Sequence, residues 1–141
     1  MKWQYQGKEI DSLPADTFGF IYLIVYTDGS KYIGKKQAIS KQTLPASKNP
    51  REGATRIGKN VRGKRQYFDI VTKESGWRNY IGSCKEAVNL KVKEKHILQF
   101  AKDKINLTFN EVEWLIKYDT LRDTTFLNGN ILGKFYKGRI I

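Results

Sequence analysis

The chain has 141 residues, of which 40% are hydrophobic and 13% aromatic. This aromatic content excludes a disordered chain, and the length suits one folded domain. No window approaches the ~18 consecutive apolar residues of a membrane span, and the amino terminus lacks a signal-peptide core, so we expect a soluble cytoplasmic protein with no membrane partner. The net charge of +12 predicts a polyanionic partner.

The first strong structural signal is a β-hairpin in GFIYLIVYTDGSKYIGKK, residues 19–36. Residues 18–26 are rich in aromatic and β-branched side chains, which favour a buried strand. Thr-Asp-Gly at 27–29 predicts a turn, and residues 30–35 predict the returning strand.

The loop of this hairpin decides where two tyrosines point. A three-residue loop closed by Gly29 in the left-handed conformation pairs Tyr22 with Gly34 and places Tyr22 and Tyr32 on one face. A two-residue loop at Asp28 and Gly29 sends the two tyrosines to opposite faces, because side chains alternate along a strand. The sequence is compatible with both loops.

A basic insertion follows the hairpin at residues 36–75, with ten Lys and Arg against three Asp and Glu. It contains too few apolar residues for a core of its own, so we interpret it as a partly mobile insertion within a single domain, 1–141. Residues 66–72 predict a short strand inside it. Its charge favours a nucleic-acid contact surface over a merely solvated loop.

The second half of the chain alternates helical and extended patterns. Ser83 is a reasonable N-cap for a helix over 84–90, and residues 95–100 alternate as a strand does. TFNE at 108–111 matches a capping box and predicts the start of a long helix. The order predicts an α/β fold, a small central antiparallel or mixed sheet of about three strands flanked by helices.

Several short motifs, taken in chain order, resemble those of the GIY-YIG nuclease family, particularly its small phage-type members. The resemblance covers roughly residues 18–130 without the insertion, and it departs from the family signature by a phenylalanine in place of the first glycine. The matching segments are FIY at 20–22, YIG at 32–34, WRNYIGS at 77–83, Glu111 and Asn128.

The resemblance implies a GIY-YIG-like fold and a DNA endonuclease that hydrolyses phosphodiester bonds with one Mg²⁺, for which Mn²⁺ can substitute, and with no small-molecule cofactor. It implies that Glu111 binds the metal, that Tyr22 is the general base or orients water, and that Tyr32 adds a hydrogen bond. Asn128 would close the active site by positioning the glutamate region or the backbone. One carboxylate suffices because Mg²⁺ retains much of its hydration.

The residues around YIG would then contact the substrate. Gly34, opposite Tyr22, leaves room for phosphate and metal. Lys35 and Lys36 supply a positive field that favours a phenolate, since an ordinary tyrosine is a poor base.

Each of these roles has a structural alternative. The tyrosines are also favoured strand residues, and Asn128 beside a glycine is a typical turn residue, with Asn130 the weaker match. Glu111 is alternatively the third helical residue of the capping box, bonded to the Thr108 amide, and Glu113 is the rival metal ligand.

The arginine of the family is displaced. Its usual place about ten residues after YIG is occupied here by QAISKQTL, which contains none. Arg78 is the first candidate to bind the scissile phosphate, followed by Arg62 and Arg65, because a guanidinium holds two phosphate oxygens at once. Each is alternatively a solvated side chain or a general DNA contact.

Two other functions compete with the nuclease. One is a nucleic-acid-binding protein that keeps the scaffold without catalysis, and the other is a small RNA-binding domain of ribosomal type. The sequence fixes neither the DNA target nor the biological role, such as homing or restriction. It is compatible with a monomer or a homodimer.

Overall fold

The computed structural model describes residues 1–49 and 51–141. Their contacts separate two units, one formed by 1–38 with 76–141 and the other by 39–75. We call these the main unit and the insertion unit and describe each separately. In these described ranges, no helix combines the length and the apolar composition needed to cross a membrane.

The chain forms ten strands and one α-helix within the described ranges. In chain order they are β1 (Gln4–Tyr5), β2 (Lys8–Glu9), β3 (Gly19–Tyr26), β4 (Lys31–Gln37), β5 (Ile39–Pro45), β6 (Thr55–Val61), β7 (Lys64–Glu74), a 3₁₀ turn (Lys85–Ala87), β8 (Val92–Ala101), α1 (Lys104–Lys117), β9 (Asn130–Ile131) and β10 (Phe135–Tyr136).

The main unit is built on a five-stranded sheet of order β2-β1-β8-β3-β4. Strand β1 runs parallel to β8, and the other neighbours are antiparallel, so the sheet is mixed. The α/β class is confirmed, and the predicted strand at 95–100 is confirmed as part of β8. The details differ from the expectation, because the two short strands β1 and β2 extend one side of the three long strands and the described ranges contain one α-helix.

The hairpin has the three-residue loop. Gly29 adopts a φ of 89°, and the Tyr26 amide donates to the Ser30 carbonyl at 2.9 Å. Tyr22 pairs with Gly34, as this loop requires. Tyr22 and Tyr32 therefore share one face of the sheet.

The helix predicted at 84–90 was wrong, and the helix predicted from 108 is confirmed except for its start. Residues 84–90 contain only the 3₁₀ turn. Helix α1 begins earlier than the capping-box pattern indicates, because the Asp103 carboxylate caps it by accepting a hydrogen bond from the Asn106 amide at 2.7 Å. Glu111 consequently lies in the interior of α1, where it has no N-terminal amide to cap.

The alternation of side chains along β3 divides the main unit into two cores. Phe20, Tyr22 and Ile24 point to one face, where they pack with Trp3 and Trp77. The intervening Ile21 points to the opposite face and packs with residues that include Leu107 and Leu115 of α1. Helix α1 therefore packs against β3 and β4, and this packing sets the position of Glu111 relative to the strands.

The insertion unit is a three-stranded antiparallel sheet of order β5-β7-β6. Its central strand includes the predicted strand at 66–72, which is confirmed. The Asp69 carboxylate is 1% exposed and pairs with Arg51 at 3.2 Å and Arg56 at 3.0 Å. These arginines hold the pKa of the Asp69 carboxyl below its usual value, Arg56 having the larger effect.

Candidate active site

The edge strand β4 is closed by a segment from the other end of the chain. The Lys31 amide donates to the Thr125 carbonyl at 2.8 Å, and the Leu127 amide donates to the Lys31 carbonyl at 2.7 Å. The Asn128 side chain then accepts from the Ile33 amide at 3.0 Å and donates to the Ile33 carbonyl at 2.8 Å. Asn128 thus satisfies the backbone of β4 as a neighbouring strand would.

Glu111 lies beside Lys35, which shares the α1-facing side of β4 with Ile33. Partial burial raises the pKa of the Glu111 carboxyl, while the Lys35 ammonium and the Lys35 backbone amide oppose this rise. The Lys35 ammonium donates to the Thr108 hydroxyl at 3.0 Å, one helical turn before Glu111. The carboxylate is thereby held at the sheet edge beside a cation.

These groups line a cleft of about 300 Å³. Its lining consists of Tyr32, Ile33, Lys35, Thr108, Glu111, Leu115, Asn128, Gly129, Asn130 and Leu132. Tyr32, Glu111 and Asn128 lie far apart in sequence, so the cleft exists only because the carboxy-terminal segment and α1 both meet the edge of β4.

Tyr32 is half-buried at this cleft. Burial raises the pKa of its phenol, and nearby acidic groups that include Glu111 raise it further, whereas the neighbouring Ser83 side chain acts in the opposite direction. A raised tyrosine pKa keeps the phenol neutral near pH 7. Tyr32 is therefore suited to donate a hydrogen bond.

Tyr22 is fully buried behind the cleft. Its ring centroid lies 6.3 Å from that of Tyr32 and 5.7 Å from that of Tyr80. Its hydroxyl has no hydrogen-bond partner within the described chain, and burial raises the pKa of this phenol. A Cβ atom at Gly34 would lie 2.5 Å from that hydroxyl, so only glycine fits opposite Tyr22.

The loop at residues 77–83 covers Tyr22. The Tyr80 ring packs edge-on against Tyr22, and the Lys36 ammonium lies 4.6 Å above the Tyr80 ring. A buried lysine, Lys95, holds this loop by donating to the carbonyls of Arg78 at 3.1 Å and Tyr80 at 2.9 Å. The hydrogen bonds of Lys95 therefore hold the loop in place over Tyr22.

A family model matches residues 3–131, and its description is "Putative endonuclease segE, GIY-YIG domain". The chain belongs to the GIY-YIG nuclease family. The matched span includes the hairpin tyrosines, Glu111 and Asn128, and it also includes the insertion unit of this GIY-YIG domain. No curated protein and no solved structure matches the chain.

The GIY-YIG chain brings together four of the residues predicted from its sequence, Tyr32, Lys35, Glu111 and Asn128. Others adjoin this cleft without lining it. Tyr22 reaches across Gly34 beneath the Tyr80 ring, and Lys36 lies above that ring.

Arg78, the first candidate arginine, does not line this cleft. The Arg78 guanidinium donates to the Asp11 carbonyl and lies 4.6 Å above the Trp77 ring. It lines a separate cleft with the amino-terminal residues. Arg62, in the turn between β6 and β7, and Arg65 belong to the insertion unit.

The candidate ligands separate clearly. Glu113 is exposed and does not line the cleft, whereas Glu111 does. Residues two apart on a helix point in different directions, which explains the contrast.

Glu111 and the Thr108 hydroxyl are the groups in this cleft that could hold a metal ion. The described residues contain no group of three or more His, Cys, Asp or Glu that could hold a metal. Mg²⁺ is commonly held by one or two carboxylates together with water and substrate phosphates. Glu111, the Thr108 hydroxyl and the open volume in front of them fit that mode of binding.

Tyr80, Lys95 and Thr108 are the contributors that the sequence analysis missed. Lys95 is 1% exposed and pairs with Ile24 of β3. Alternation gives it the same face as Ile97, so the period-two pattern was a usable signal that this lysine points inward.

We expect Lys95→Met to destabilise the protein by about 1–3 kcal/mol, because the carbonyls of Arg78 and Tyr80 lose their buried donor. Chemical denaturation measures the loss. Lys93→Met, at an exposed position of the same strand, is the matched control and is expected to change stability by less than about 0.5 kcal/mol. Equal stabilities of the two variants would contradict this assignment.

Proposed function

We propose that this protein is a metal-dependent DNA endonuclease that hydrolyses phosphodiester bonds in the cleft at the edge of β4. The observation that carries the proposal is the meeting of Tyr32, Lys35, Glu111 and Asn128 in one cleft. The proposal includes a single Mg²⁺, with Mn²⁺ as a substitute, a cytoplasmic location, and action as a monomer or homodimer.

Glu111 would hold the ion, and Asn130 and Thr108 would supply nearby oxygens. When bound, Mg²⁺ would neutralise the charge that develops on the phosphate in the transition state. Partial burial of Glu111 strengthens its attraction for a cation, because charges interact more strongly where water is excluded. The Lys35 ammonium would contact the phosphate from the same side.

The two phenols have different tasks in this proposal. Tyr32 stays neutral and donates a hydrogen bond to the phosphate or to the attacking water. Tyr22 would orient the water through its unpartnered hydroxyl. Because Tyr22 is 0% exposed, its hydroxyl reaches the substrate only when the Tyr80 side chain moves aside.

Asn128 and Gly34 support these groups. Asn128 fixes the backbone of β4 at Ile33, which keeps Tyr32 and Lys35 at their positions beside Glu111. Gly34 gives the Tyr22 hydroxyl its place at the sheet edge. Arg78, Arg62 and Arg65 remain the candidates for binding the scissile phosphate, with Lys36 as an additional cation.

The second candidate function is DNA binding without cleavage on the same scaffold. Two observations favour it, since no arginine is among the described residues that line the cleft and Tyr22 is covered. It differs from the nuclease in requiring no metal.

A plasmid-nicking assay separates the two functions. We expect the purified full chain to convert supercoiled plasmid to the nicked or linear form with Mg²⁺ or Mn²⁺, and to leave it intact with EDTA. Salt-dependent retardation of the plasmid without cleavage under every metal condition would support the binding protein. Mapping the ends produced on a long DNA would define the target.

A further inference from the structure

The sheet of the insertion unit has two faces, and each of them carries both apolar and charged side chains. The cross-strand register of β6 and β7 places four partly buried apolar side chains on one face, Ile57, Val61, Phe68 and Ile70. The register of all three strands places Gln42, Asn60, Arg65, Tyr67 and Lys73 on the other, together with the Arg56–Asp69 ion pair and the partly buried Leu44 and Val71. We call the second surface the Arg65 face. An antiparallel sheet commonly packs one face and exposes the other to solvent.

The Arg65 guanidinium and the Tyr67 ring lie next to each other on the Arg65 face. Tyr67 is 55% exposed, and the Arg65 guanidinium carbon lies 6.0 Å from the centroid of its ring. The cross-strand partner of Tyr67 is Gly58, where an added Cβ would lie 2.7 Å from Arg65 Nε. The missing side chain at Gly58 therefore gives the guanidinium room to lie across β6.

The charges of the insertion unit are not balanced internally. Residues 39–75 contain nine Lys and Arg against three Asp and Glu. Asp69 pairs with Arg51 and Arg56 and orders that end of the sheet. No carboxylate pairs with Arg65 in the described part of the chain, so its hydrogen-bonding groups are available to a ligand.

We propose that the Arg65 face docks onto the phosphate backbone of duplex DNA, with Arg65 and Lys73 contacting phosphates and Tyr67 packing against a deoxyribose. The proposal rests on the proposed function, since DNA is the substrate there. Charge complementarity selects the polyanion. The shape also fits, because three strands spaced about 4.8 Å apart span about 10 Å, close to the ~12 Å width of the major groove.

Neighbouring residues of β7 provide a matched test, because alternation puts them on opposite faces. Arg65→Ala and Lys64→Ala each remove one positive charge from an exposed position, and Tyr67→Ala and Gln66→Ala form the second pair. Each change is made in the full chain carrying Glu111→Gln. Binding to a fluorescent 30-base-pair duplex is measured by anisotropy in EDTA at several salt concentrations.

We expect Arg65→Ala to weaken binding about 10-fold, and to reduce the slope of log affinity against log salt by about 0.9, the value for one lost phosphate contact. Tyr67→Ala should weaken binding severalfold, and Arg65→Lys should recover part of the loss. Lys64→Ala and Gln66→Ala should change affinity less than about twofold, as expected of surface positions outside the contact.

Equal losses in Arg65→Ala and Lys64→Ala would overturn the proposal, since charge alone would then matter and not the face. Unchanged binding in both variants would overturn it as well, as would tighter binding of a single-stranded RNA of equal length. Thermal melting of each variant shows that it is folded. Wild-type nicking is assayed in parallel, so a protein that binds through the Arg65 face without cutting would refute the nuclease and leave this inference standing.

Discussion

Glu111→Gln is expected to lower Mg²⁺-dependent DNA cleavage about 1000-fold, equivalent to about 4 kcal/mol of transition-state stabilisation. Among the residues that line the cleft in the described chain, Glu111 carries the only carboxylate, so no neighbour can take over the metal. Glutamine keeps the size of the side chain and removes the charge. Single-turnover cleavage of a supercoiled plasmid over a range of Mg²⁺ concentrations measures the effect.

Glu113→Gln is the control, because Glu113 is exposed on the same helix and lies outside the cleft. It should cut within about twofold of the wild-type rate, as a surface substitution generally does. A full rate in Glu111→Gln, or a large loss in Glu113→Gln, would show that the metal is bound elsewhere.

The pH dependence of stability gives Glu111 a second signature. Burial raises its pKa above the usual 4.5, so the folded chain binds this proton more tightly than the unfolded chain does. The contribution of Glu111 to stability should therefore decrease as the pH rises through the interval between the unfolded and folded pKa values. The difference in unfolding free energy between wild type and Glu111→Gln, measured without metal, should show this slope.

Tyr22→Phe should slow cleavage at least about 10-fold while raising the free energy of unfolding by about 1 kcal/mol. The opposite signs arise because the Tyr22 hydroxyl is buried with no hydrogen-bond partner in the described chain, which penalises the folded state. Phenylalanine retains the ring packing with Trp3, Tyr32 and Tyr80. Single-turnover cleavage and chemical denaturation measure the two effects.

Tyr26→Phe provides the comparison on the same strand and face. Burial raises the pKa of Tyr26 to about 12, but this residue has no role in the proposed chemistry. Tyr26→Phe, which removes this hydroxyl, should cleave within about twofold of the wild-type rate. If Tyr22→Phe cut at the wild-type rate, Tyr22 would be a core residue only, and a water-orienting role would have to pass to Tyr32.

The hairpin was predictable because the information is local. The sequence left two loops open, and the three-residue loop with Gly29 at positive φ in the structure decides that Tyr22 and Tyr32 share a face. The alternating pattern of 95–100 likewise gave the strand that became the centre of the sheet.

Other features depend on contacts that no short segment contains. Asp103 and Thr108 both begin plausible helices, and packing of Leu107 beneath the sheet favours the earlier start. The insertion shows a similar limit, since β5 and β6 are weak strands by composition and are ordered by pairing with β7 and by the pairs that Asp69 makes.

Asn128 has a consequence for the solubility of the chain as well as for its chemistry. Its amide accepts one hydrogen bond from Ile33 and donates one to it, so it occupies the free edge of β4 as a peptide group would and blocks pairing there by a strand of another molecule. The cleft lined by Glu111 lies next to the part of the β4 edge that Asn128 covers. Sheet proteins usually cover or block an open strand edge, whereas the part of the β4 edge beyond Asn128 is left open beside the Glu111 carboxylate.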